Sequence, residues 1–97
     1  MKVTRHAKDR LKERNGLNKK SIERIAKRAL EEGIPHSRTK GQLNKWITAR
    51  YFSNQSANNI RLYGDKAYIF NNEILITVLQ IPARLMKDLD KMIIKED

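Results

Sequence analysis

Three residues near the start of the chain, His6, Arg10 and Arg14, follow one another at intervals of four. On a helix this spacing puts one imidazole and two guanidiniums on a single face, beside the apolar pair Ala7 and Leu11. An arginine fork grips two phosphate oxygens at once, and a histidine exchanges a proton near neutral pH, so the stripe suits a phosphate ester. The plainer alternative is a solvated basic face on which Asp9 and Glu13 form weak surface pairs.

A second set of polar groups falls on strand-like segments. In residues 59–63, NIRLY, Ile60 and Leu62 point to one face, which sends Arg61 and Tyr63 to the other. In residues 74–81, ILITVLQI, strict alternation separates Ile74, Ile76 and Val78 from Leu75, Thr77 and Leu79. Both faces of this segment are largely apolar, so a central strand is expected with Thr77 as the polar group on its face. The alternative is a hydroxyl satisfied by nearby backbone.

Other chemistries find less material. There is no cysteine, and His6 and His36 are the two histidines; with the acids scattered, no metal and no cofactor are expected. The four glycines stand singly at element ends, so no phosphate-cradling loop is present and nucleotide triphosphate use is not expected. His36 reads as a solvated loop histidine beside Arg38 and Lys40, and Trp46 as core rather than a stacking platform.

The elements that must hold these groups follow from caps and periodicity. Thr4 opens a first helix that Gly16 stops. Asn18 caps a second, Lys19 to Glu32, with an apolar stripe at Ile22, Ile25, Ala26, Ala29 and Leu30 and a stop at Gly33. Ile34 to Gly41 reads as a connecting loop, and Gln42 to Ser53 as a third helix burying Leu43, Trp46, Ile47 and Tyr51 or Phe52. NIRLY, AYIFN and ILITVLQI then form a meander with turns at Gly64-Asp65-Lys66 and Asn71-Asn72-Glu73, ended by Pro82. Leu85, Met86, Leu89, Met92 and Ile93 predict a C-terminal amphipathic helix packed on the chain's own sheet, or else a surface for a protein partner or homodimer. The expected fold is α+β: N-terminal helices on one face of a three- to four-stranded antiparallel sheet, plus the C-terminal helix.

At 97 residues there is material for one domain, 1–97, with a core over 3–82 and the closing helix over 83–97. Basic residues number 21 against 11 acidic, a net charge of +10, which points to a polyanionic partner. The excess lies in Met1 to Arg61, with 16 basic and 5 acidic residues; the remainder carries 5 and 6. These cations are spread over several elements instead of forming a basic amphipathic anchor, which favours nucleic acid over membrane. No apolar run approaches 18 residues and the opening segment is charged, so neither a span nor a signal peptide is expected. Absence of cysteine fits a reducing cytoplasm.

The opening Thr4-Arg5-His6-Ala7-Lys8-Asp9-Arg10 with Glu13-Arg14, the second helix ending at Gly33, the Arg61-x-Tyr63 strand and the closing Leu75-Ile76-Thr77-Val78 strand before Pro82 together resemble a known pattern. It is similar to phage- and mobile-element domains of unknown function that open with a His-Ala-x-x-Arg-x-x-x-Arg helix. Those domains look related to the barnase, EndoU, colicin and RelE-like group of metal-independent ribonucleases. The resemblance spans Val3 to Pro82 and implies that His6, Arg10, Arg61, Tyr63 and Thr77 converge between the first helix and an open sheet face. His6 would then carry the proton, Arg10 and Arg61 would clamp the phosphate, and Tyr63 and Thr77 would orient it or the attacking 2′-hydroxyl. Arg14, Lys45, Arg50 and Lys66 would hold flanking backbone, with Arg38 and Lys40 of the loop completing the nucleic-acid-binding set.

Two expectations follow. One is a toxin-like endoribonuclease acting on RNA, favoured over DNA as the partner, by 2′-hydroxyl attack. The other is a non-catalytic phage-encoded protein that binds nucleic acid or nucleoprotein, including an inhibitor of host defence; a structural or assembly protein is the blandest option.

Overall fold

Thr4 fixes the start of the first helix in two directions. Its hydroxyl accepts from the Ala7 N–H at 3.2 Å, capping the helix, and donates to the Ile76 carbonyl at 2.8 Å, tying that cap to the sheet. In the computed structural model, which describes residues 2–15, 18–53 and 57–96, the helices are α1 (Arg5–Asn15), α2 (Lys19–Glu32), α3 (Gly41–Ser53) and α4 (Ala83–Glu96). The strands are β1 (Ile34–Pro35), β2 (Asn59–Tyr63), β3 (Lys66–Asn71) and β4 (Ile74–Gln80), ordered β1-β2-β3-β4 and antiparallel throughout.

The α+β class and the closing helix are therefore as the sequence predicts, and Asn18 caps α2 by accepting from the Ser21 N–H at 2.9 Å. The expected stop at Gly16 lies outside the described residues. The meander closes through two-residue turns whose first residues have left-handed backbone, Gly64 at φ 62° and Asn72 at φ 56°. Asn58 steadies the second turn, accepting from the Asn72 N–H at 2.8 Å and donating to its side-chain oxygen at 3.0 Å.

Three expectations need correction. Residues 34–35, read as loop, form β1 and pair with Leu62 and Arg61; so short a strand has no periodicity, and Pro35 is tolerated at a sheet edge. The last strand, expected to be central, lies at the other end of the sheet. There Val3 bridges Leu75 in parallel, the Leu75 N–H donating to the Lys2 carbonyl and the Thr4 N–H to the Leu75 carbonyl.

The helices do not share one face. Ala7, Leu11, Ile22, Ala26 and Ala29 of α1 and α2 pack with Tyr68, Phe70, Leu75 and Val78. On the other side Leu43, Ile47, Leu85 and Leu89 of α3 and α4 pack with Ile34, Ile60, Leu62, Ala67, Ile69 and Ile81. The result is three layers with the sheet in the middle. Met86 and Met92 join this second core, so the described part of the α4 stripe lies on the chain's own sheet, while Ile93's side chain is outside the description. Trp46 and Tyr51 flank the same core, and the Phe52 side chain is not described.

Gly33 ends α2 without left-handed backbone (φ −66°, ψ 154°); its role is clearance. A methyl group there would collide with the Ala29 carbonyl oxygen and lie 2.9 Å from the Arg61 Cβ and 3.2 Å from the Leu62 carbonyl oxygen. We expect Gly33→Ala to lower the urea-unfolding free energy by about 1–3 kcal/mol, the range for forced overpacking. A variant as stable as the parent would mean that α2 and β2 have room to part.

Candidate nucleic-acid interface

The α1–α2 layer presents two basic helices to solvent. Each carries five Lys or Arg residues, against two acids on α1 and three on α2. On α1, Ala7 and Leu11 turn inward; His6 is exposed and Arg10 half-buried, while the Arg14 side chain is outside the description. α1 runs over β4, and α2 over β2 and β3.

On α2 the inward stripe of Ile22, Ala26 and Ala29 is bordered by Ser21, Arg24 and Arg28, which helical spacing stacks on one side. That border overhangs Tyr63 of β2. Ser21, Arg24, Ile25, Arg28 and Tyr63 line an open groove of about 310 Å³. Arg24 and Arg28 are exposed, and among the described residues no hydrogen bond or ion pair engages either guanidinium. Ile25 and Tyr63 are half-buried and supply an apolar wall. Behind it Tyr63 meets Tyr68 edge-on, with ring centroids 6.4 Å apart at 66°. Burial pushes the Tyr68 phenol up to about 12, with the charges of Asp65 and Tyr63 adding to the effect.

Arg61 and Tyr63 share the α1–α2 side of the sheet, as alternation requires, since Arg61 pairs with Tyr68 and Tyr63 with Lys66. Arg61 is half-buried and its Nε donates to the Asn59 side-chain oxygen at 3.1 Å. His6 and Arg10 sit in the same layer but on the helix over β4, with β3 between that strand and β2.

Thr77 is not part of this group. The β3–β4 register passes from Ile69↔Thr77 to Phe70↔Leu75, which leaves Ile76 as an extra residue in a bulge. Beyond the bulge the alternation is inverted. Leu75 and Val78 face α1 and α2, whereas Ile76 and Leu79 face α3 and α4, and Thr77 lies opposite Ile69 of that second core. Its hydroxyl is buried without a hydrogen-bond partner among the described residues.

Nor is one face of the sheet left bare among the described residues, because α1 and α2 pack on one side and α3 and α4 on the other. Lys66 also leaves the expected binding set: its side chain is 9% exposed and its ammonium lies 2.8 Å from the Asp65 carboxylate. That hydrogen bond, together with one from Gln80, holds the Asp65 carboxyl below its ordinary value. Arg38, Lys40, Lys45 and Arg50 are exposed, but Lys45 and Arg50 ride on α3, across the sheet from the groove. Arg50 lies 6.0 Å from the Trp46 ring centre, within reach of a cation–π contact. His36 is not a solvated loop histidine; it is half-buried, its Nε2 is 2.9 Å from the Thr48 hydroxyl, and its ring is 5.8 Å from Tyr51.

Sequence reasoning missed Ser21, Arg24 and Arg28. Their spacing along the border of the α2 stripe is visible in the sequence, but only the packing of α2 across β2 makes it a site with Tyr63. Among the described residues no three His, Cys, Asp or Glu side chains gather as a metal ion would require, and no helix is long and apolar enough to cross a membrane. Comparison with protein-family models, curated proteins and solved structures returned no match.

Two outcomes follow. Thr77→Val removes an unsatisfied buried hydroxyl, so we expect it to raise the urea-unfolding free energy by about 1 kcal/mol; a fall in stability would mean that the hydroxyl has a partner. The raised Tyr68 phenol favours the neutral form in the folded state, a contribution intact below pH 10 and lost as pH climbs toward 12. Urea midpoints of the parent should therefore fall more steeply over that window than those of Tyr68→Phe, and parallel curves would refute the assignment.

Proposed function

We propose that this chain binds the phosphodiester backbone of RNA through its α1–α2 layer. The observation that carries this is the groove in which Arg24 and Arg28, one helical turn apart and unpaired among the described residues, stand over Tyr63. Guanidiniums suit phosphate oxygens, and the net charge of +10 supplies the long-range attraction that brings a polyanion to them. Helix polarity adds to it, since neither α1 nor α2 has an acid in its first turn to offset the positive end of the helix.

Metal-free cleavage by 2′-hydroxyl attack is a second reading, favoured by one observation. His6 is exposed one turn from Arg10 on the same layer, where an imidazole could carry a proton beside a phosphate held by a guanidinium.

Binding to a labelled oligoribonucleotide, followed by anisotropy, is expected to weaken roughly a hundredfold or more between 50 and 200 mM salt. Arg24→Gln combined with Arg28→Gln should cost about tenfold in affinity, within the range of charge-assisted hydrogen bonds. Absence of binding at low salt would overturn the proposal. Incubation with total RNA in EDTA then separates the two readings. Products with 2′,3′-cyclic phosphate ends from the parent and none from His6→Ala establish cleavage; intact RNA with both proteins leaves binding alone.

A further inference from the structure

The groove is more than a patch of charge, because its chemistry is divided. Arg24 and Arg28 stand exposed on the α2 border with Ser21 beside them, while Ile25 and Tyr63 form the half-buried apolar wall. Phosphate alone has no use for that wall. A duplex offers only phosphate and sugar to such a recess, since its bases are stacked and paired. A single strand can turn one base out of line and lay it on an aromatic ring while neighbouring phosphates meet cations.

Tyr63 is placed for that role. The Tyr63–Tyr68 contact is edge-on and fixes the ring from behind, so stacking would meet a side chain already held in place. The volume of about 310 Å³ lies at the small end of the ~300–1,000 Å³ usual for small-ligand sites, the scale of a single nucleotide. The geometry points to a subsite for a single unpaired nucleotide, its base against Tyr63 and Ile25 and its phosphate at Arg24 and Arg28, which makes the chain selective for single-stranded over duplex RNA. This inference rests on the phosphate-backbone reading and adds to it the form of the strand and the residue that distinguishes it.

The test compares a non-self-complementary 12-nucleotide RNA with the same strand annealed to its complement, using the full chain at one salt concentration. The parent should prefer the single strand by about tenfold or more, the scale of one base–aromatic stack. Tyr63→Leu, which keeps an apolar side chain, should lose most of that preference. Tyr63→Phe, which keeps the ring, should retain it. Ultraviolet cross-linking of the parent to the single strand, with peptide mapping, should place an adduct on Tyr63, a readout that needs no variant to fold. Equal affinity of the parent for the two RNAs, or an adduct confined to other residues, would overturn the subsite and leave backbone binding standing. Binding to neither RNA would overturn both.

Discussion

Strand β3 has nowhere to present a polar side. Ala67, Tyr68, Ile69 and Phe70 are each no more than 1% exposed, so successive side chains on both faces of the strand must be taken out of water. A sheet with such a strand inside it needs apolar cover above and below, and four helices supply it in two pairs. The division of the molecule into layers follows from this. It settles which basic residues share a side, because a cation on α1 or α2 is separated from one on α3 by the thickness of the sheet.

The charges on α2 run against its own dipole. Lysines occupy the first turn and Glu31 and Glu32 the last, so each end carries charge of the sign that a helix terminus disfavours, a cost of roughly 0.3–1 kcal/mol per residue at a surface. The apolar stripe can bear it, since Ile22, Ala26 and Ala29 are almost wholly buried. The arrangement concentrates positive potential at the end of α2 from which Ser21 and Arg24 follow, the end where a polyanion would approach the groove. On the proposed reading, stability given up in the helix would return as attraction for a polyanion.

Much of this was legible in the sequence. Caps at Thr4 and Asn18, the period of the α2, α3 and α4 stripes and the turns at Gly64 and Asn72 place seven of the eight main elements, because each rests on local chemistry. What escaped was non-local. β1 is too short to show a period, and the bulge at Ile76 leaves no trace in ILITVLQI, whose residues suit strict alternation as well as broken alternation. Thr77 was expected beside Arg61 and Tyr63 on the resemblance, and one extra residue in the strand turns it to the opposite core. Arg24 and Arg28 were ordinary helix cations until the packing of α2 on β2 set them over Tyr63, and Lys66 looked free until the turn brought Asp65 to its ammonium.

The two outer margins of the sheet lead elsewhere. On one side β1 is two residues long and half of it is proline; on the other, residues 2–4 occupy the Leu75 amide and carbonyl and the Ile76 carbonyl, just before the bulge bends the ladder. Each margin is thus shortened as a template for a foreign strand, one by its length and a missing N–H, the other by the segment already bonded to Leu75 and Ile76. A partner that adds a strand, or a second copy stacking edge to edge, finds less of a template there than a long bare edge would offer.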